Sequence, residues 1–213
     1  MHITILNRGL YLLITFEGID GSGKTTQISL LKEYLEKKGK SVLCLREPGS
    51  TSISEKIRET LLLSKEDITP IAEVFLFCAA RAQLVATVIK PALESGMYVI
   101  CDRYMDSTVA YQGYGRGVSL EEIAMCNSLA VSELIPALTF ILDVQPENAN
   151  QRAESRISEK DRMEKAGNEF FHRVSQGYKQ MAHENPQRIV LLDGTASIDL
   201  IHENICQSIS RFL

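Results

Sequence analysis

Eight consecutive residues, Gly18-Ile19-Asp20-Gly21-Ser22-Gly23-Lys24-Thr25, fit the pattern G-x-x-x-x-G-K-[ST], and the local period changes across them. Before them, Leu10–Phe16 is a continuous apolar run ending at Glu17-Gly18, as in a strand buried on both faces of a parallel sheet. After them, Ile28, Leu31 and Leu35 fall at helical spacing, Glu33 and Lys37 form an i,i+4 pair, and Gly39 stands where a helix stops. A second strand follows at Ser41–Leu45. A strand, a glycine loop and a helix in this order form a phosphate cradle. The glycines let backbone N–H groups turn inward, and the helix start adds its positive dipole end. Lys24 is placed to reach β- and γ-phosphate oxygens, and the Thr25 hydroxyl to serve Mg²⁺.

The rest of the chain repeats this grammar. Helices are predicted at 52–63, 71–94, 119–133, 147–156, 168–184 and 199–212. Strands are predicted at Met97–Cys101, Leu138–Val144 and Arg188–Leu192. Five strands alternating with helices in 213 residues, without a low-complexity linker, read as a single α/β domain over 1–213. Residues 1–9 read as a short extension before the first strand, and the charge-rich stretch 157–166 as a mobile solvated flap. A balance of 23 basic and 27 acidic residues, net −4, argues against bulk nucleic-acid binding. No uninterrupted apolar run approaches the length of a membrane span. Cys44, Cys78, Cys101, Cys126 and Cys206 lack a regular spacing and read as reduced thiols of a cytoplasmic protein.

Val99-Ile100-Cys101-Asp102 closes another buried strand with a carboxylate placed for Mg²⁺ or its waters, and Arg103 follows it. The chain has no N-K-x-D guanine-reading motif. Arg46, Arg81, Arg103 and Arg116 lie in or beside the ligand-side loops, and Arg152, Arg156 and Arg162 lie near the flap. Together they describe a site that handles two phosphorylated ligands, as a small-molecule kinase does.

From Tyr11 onward the chain resembles the bacterial thymidylate kinase family. The likeness rests on Phe16–Thr26, on Arg46-Glu47-Pro48-Gly49, and on Asp102-Arg103-Tyr104 followed by Ser107-Thr108 and Ala110-Tyr111-Gln112-Gly113. The resemblance implies a three-layer α/β/α P-loop NTPase fold with a five-stranded parallel sheet and a flexible lid at about 152–166. It implies transfer of the γ-phosphoryl group of Mg-ATP to dTMP, with Gly18 to Thr26 as the ATP-binding loop. For dTMP it implies Arg103 and Arg46 on the phosphate, Asp20 beside the sugar 3′-hydroxyl, Phe77 stacked on the base, Arg81 bonded to it, and Thr108, Tyr111 and Gln112 nearby. Thr25 and Asp102 would hold Mg²⁺, and the catalytic cations would be Lys24, Arg103 and a lid arginine, Arg156 before Arg152. The adenine would lie between the lid root and Asp193-Gly194-Thr195, and a homodimer would form through helices away from the lid. In one departure Ser50 stands where the family commonly has a second glycine, so a different turn is expected there. The rival readings are another pyrimidine nucleotide or deoxynucleoside kinase of the same fold, and a non-enzymatic nucleotide-dependent regulator.

Overall fold

The computed structural model describes residues 12–154, 162–163 and 166–213. Five strands, β1 (Leu13–Glu17), β2 (Val42–Arg46), β3 (Tyr98–Asp102), β4 (Leu138–Asp143) and β5 (Ile189–Asp193), form one sheet in the order β2-β3-β1-β4-β5. Every pairing is parallel. The helices are α1 (Lys24–Lys37), α2 (Ser52–Leu63), α3 (Pro70–Glu94), α4 (Met105–Gly115), α5 (Leu120–Val131), α6 (Pro146–Glu154), α7 (Asn168–Glu184) and α8 (Ile198–Ile209). β1 is buried along its whole length, as a central parallel strand covered on both faces must be. Its alternation divides the layers. Ile14 and Phe16 join Ile28, Leu31 and Leu35 of α1 and Ile201, Ile205 and Ile209 of α8. Leu13 faces the other way, into a cluster with Leu84, Val85 and Ile89 of α3, and the α7 side chains Phe171, Val174 and Tyr178 cover the same face beside Ile141 of β4.

The strands and most helices lie where the sequence places them, shifted by a few residues. Residues 1–9 and the start of the predicted first strand, 10–11, lie outside the described residues. Two helices differ in kind. α3 runs unbroken to Glu94 but passes through a π-helical turn, Val85–Ile89, just before Pro91. Proline has no N–H to give and crowds the carbonyl four residues back, and a widened turn accommodates both. By length and composition α3 is apolar enough to cross a membrane. It nevertheless buries Glu73 and Arg81 in ion pairs with other elements and packs against α2 and α5, so it is a core helix. α4 has no counterpart in the sequence reading. Its first turn, Met105–Thr108, continues as the π-helical Val109–Gly115, and it is packed along α7.

Candidate active site

The site is built where β1, β2 and β3 end, at the carboxyl edge on which ligands bind in open parallel sheets. The loop between β1 and α1 depends on glycine for two separate reasons. Gly18 and Gly21 have φ of 131° and 83°, which side-chain-bearing residues rarely adopt, and a Cβ on Gly21 would meet the Ala149 carbonyl. Lys24 opens α1 and is almost fully buried. Its Nζ donates to the carbonyls of Gly18 at 3.0 Å and Ile19 at 3.1 Å, and lies 3.8 Å from Asp20. Burial first, then the nearby Arg103, lowers its pKa. Thr25 and Thr26 are exposed on the first turn of the helix.

Asp102 ends β3, and Arg103 turns out of the sheet with φ 72°. Its Nη2 donates to Asp20 at 2.9 Å and to the Tyr111 hydroxyl at 3.0 Å. At the end of β2, both Arg46 and Ser50 are held by Glu55. Arg46 Nη2 donates to the two carboxylate oxygens at 2.9 and 3.0 Å, and the Ser50 amide donates to one of them at 2.8 Å. Ser50 takes the left-handed conformation a glycine would supply, φ 67°, and its hydroxyl bonds both the N–H and the carbonyl of Arg46.

These strand ends enclose a crevice of about 170 Å³ lined by Asp20, Gly21, Gly23, Lys24, Thr25, Arg46, Glu47, Arg58, Asp102 and Arg103. Four cationic side chains thus share one small crevice. Arg58 is the one the sequence reading missed. It sits among Glu55, Lys56 and Glu59 on α2 and looks like an ordinary surface charge, but it reaches back to the Pro48 carbonyl at 3.1 Å. Thr25 and Asp102 line the same crevice and offer one hydroxyl and one carboxylate. That donor set suits Mg²⁺, which keeps several waters and shares phosphate oxygens with the protein.

The residues expected around the acceptor base form a second group, tied to the first through Glu47. Arg81 is only 1% exposed. Its Nε donates to Glu47 at 2.8 Å, Nη1 to Thr108 at 3.1 Å and Asn127 at 2.8 Å, and Nη2 to the Tyr104 carbonyl at 3.1 Å. Four of its five guanidinium N–H groups thus find acceptors among the described residues. Phe77, half-buried, lies between Glu73 and Arg81 at helical spacing on α3. Tyr111 stands edge-on to Phe170, Phe171 and Tyr178. Gln112 donates to the buried Glu73 at 2.7 Å, and the same carboxylate accepts from Arg116 and Arg162.

Arg162 corrects part of the flap reading. Its Nε donates to the Leu61 carbonyl and its amide to that of Leu62, while neighbouring Met163 is buried, so this end of 157–166 packs against α2 and α3. The charge count suggested solvation because its partners lie a hundred residues away. Arg152 Nη1 donates to the Gly194 carbonyl at 3.0 Å, so the end of α6 and the loop after β5 are neighbours. Arg156 lies outside the described residues.

The thymidylate kinase family model matches residues 16–205. A thymidylate kinase of Chlorobaculum tepidum is 50% identical over 93% of this chain and 96% of its own. That of Chlorobium chlorochromatii is 48% identical over 95% and 96%. Among solved structures, a crystal structure of thymidylate kinase from Ehrlichia chaffeensis superposes with a TM-score of 0.75 at 35% identity, covering 93% of this chain and 98% of that one. With the family model spanning most of the chain and relatives about half identical over nearly their whole length, the chain belongs to the thymidylate kinase family.

Proposed function

We propose that the crevice aligns the γ-phosphoryl group of ATP with the phosphate of dTMP and transfers it, giving dTDP and ADP. The observation that carries this reading is the single crevice in which Lys24 and Thr25 of the phosphate loop meet Arg46, Arg58 and Arg103 from other elements. One anion needs only the loop, whereas a second set of cations across from it suits a second phosphate. An oxygen of the dTMP phosphate attacks the γ-phosphorus, and the bond from it to the β–γ bridging oxygen breaks. The attacking oxygen is already ionised, so no strong base is required. Lys24 follows the β- and γ-oxygens, Arg103 and Arg46 hold the acceptor phosphate, and Arg156 or Arg152 meets the charge on the moving group. Thr25 and Asp102 would hold magnesium, directly or through water, which when bound neutralises charge on the nucleotide's oxygens. Phe77, Gln112 and Thr108 read the base. Arg81 adds an N–H and keeps Thr108 in place. Asp20, now paired with Arg103, passes to the sugar 3′-hydroxyl as the phosphate takes the guanidinium.

Ile71 and Phe75 of α3 and Met125 and Leu129 of α5 are exposed apolar side chains on two helices packed side by side, as the contact face of a homodimer would require. The five free thiols accord with the reducing cytoplasm. The test of the main reading is a coupled ADP-release assay with ATP and each of dTMP, dUMP, UMP, CMP and thymidine. The highest kcat/KM is expected for dTMP, and no turnover of dTMP would sink the reading.

A further inference from the structure

Glu17 ends β1, directly before the phosphate loop, and has no part in the chemistry above. It is 0% exposed. Strand alternation sets it on the sheet face covered by α4 and α7. Its Oε1 accepts the Tyr104 backbone N–H at 2.8 Å. Its Oε2 accepts the hydroxyl of Ser107 at 2.5 Å and that of Tyr178 at 2.8 Å. Burial, and then the neighbouring Asp106, push its pKa up to about 7. A carboxylate this deeply buried is costly to hold, and its three hydrogen bonds offset that cost.

What it holds is the turn that carries Arg103. β3 stays in register with β1 as far as Asp102 opposite Phe16, and the next amide, that of Arg103, still donates to the Phe16 carbonyl at 2.9 Å. There the chain enters the left-handed region, which residues with a Cβ leave unless both sides are tied. The following amide, that of Tyr104, is tied by the Glu17 carboxylate. A second link reaches the guanidinium. Ser107 has one proton and gives it to Glu17, so its oxygen is free to accept Arg103 Nη1, 3.3 Å away. Backbone and side chain of Arg103 are thus both referred to the same carboxylate.

We propose that Glu17 is a positioning residue for the acceptor, aiming Arg103 into the crevice between the phosphate loop and the end of β2. The proposal rests on the reading that Arg103 grips the acceptor's phosphate. A glutamine at this position keeps the volume and can still accept from Tyr104. Its amide, however, donates into Ser107 and Tyr178, competes for the lone pair that Arg103 uses, and removes the negative charge behind the guanidinium.

The experiment is steady-state kinetics of Glu17→Gln and Ser107→Ala at pH 8, with melting temperatures measured alongside. Glu17→Gln is expected to raise the KM for dTMP about tenfold, the loss of one charge-assisted hydrogen bond, with the KM for ATP unchanged and no fall in melting temperature. Ser107→Ala, which cuts the link without touching the carboxylate, is expected to move the KM for dTMP in the same direction. Equal rises in both Michaelis constants, or a lower melting temperature with both constants unchanged, would mark a merely structural residue and overturn the proposal. Arg103→Ala separates the two layers of the argument. If it leaves the KM for dTMP unchanged, the acceptor reading falls and the proposal with it. If it raises that KM while Glu17→Gln and Ser107→Ala do not, only the role of Glu17 falls.

Discussion

Replacing Arg81 by alanine tests the packing behind the acceptor side. The guanidinium is buried and donates to Glu47, Thr108, Asn127 and the Tyr104 carbonyl. Glu47 is the buried partner that the substitution strands. Its Oε1 is already buried with no hydrogen-bond partner among the described residues, and Arg81 faces its other oxygen. Removing one member of a fully buried ion pair costs about 3–5 kcal/mol, because the survivor is left charged and unpaired. For a chain of this size that corresponds to a melting temperature about 6–20 °C lower. The pH dependence has a definite sign. Burial raises the pKa of Glu47, and Arg81 is the influence that lowers it again. Without Arg81 the folded-state pKa rises further above its unfolded value. The stability of the variant is then fullest below the unfolded pKa and is lost as pH rises through the folded one, so its deficit against the wild type grows from pH 5 to pH 8. Urea and thermal melts at the two pH values measure both effects. A variant melting within 2 °C of the wild type, or a deficit that shrinks as pH rises, would refute the reasoning.

Other expectations follow from the same buried charges. Glu73→Ala leaves Arg116 and Arg162 without their shared carboxylate and Gln112 without its acceptor, and should cost about 3 kcal/mol or more in urea melts. Glu17, with a folded pKa of about 7 against an ordinary 4.5, contributes stability that is complete below pH 4.5 and gone above 7. The wild type should therefore lose about 2–3 kcal/mol relative to Glu17→Gln between pH 5 and pH 8, and parallel pH profiles of the two proteins would contradict the assignment. Sedimentation across a hundredfold dilution range tests the apolar face, since Leu129→Glu should shift a dimer to monomer and leave an already monomeric chain unchanged.

The strands were legible because each is a short apolar run, and the phosphate loop because its glycines and its Gly-Lys-Thr are adjacent in sequence. The same locality explains what was not legible. α4 is written in β-branched, aromatic and glycine residues, Val109, Tyr111, Gly113 and Gly115, whose intrinsic preferences are poorly helical; its packing along α7 outweighs them. Glu17, Glu47 and Glu73 find their partners 87, 34 and 89 positions away, at Tyr104, Arg81 and Arg162. No spacing rule joins such pairs. Glu17 alone left a signal, as a carboxylate closing an otherwise apolar central strand. For Arg81 the sequence supplied the place but not the degree of commitment, since a helix position says nothing about how many of its donors the protein has already used.

The most direct test of the central claim is formation of dTDP from ATP and dTMP in a single turnover by the wild-type chain and by Lys24→Ala. The wild type should form dTDP rapidly and the variant at least about a thousandfold more slowly, since charge stabilisation at the transferring group supplies most of the catalysis. Transfer by Lys24→Ala at the wild-type rate would show that the crevice is not where the phosphoryl group moves.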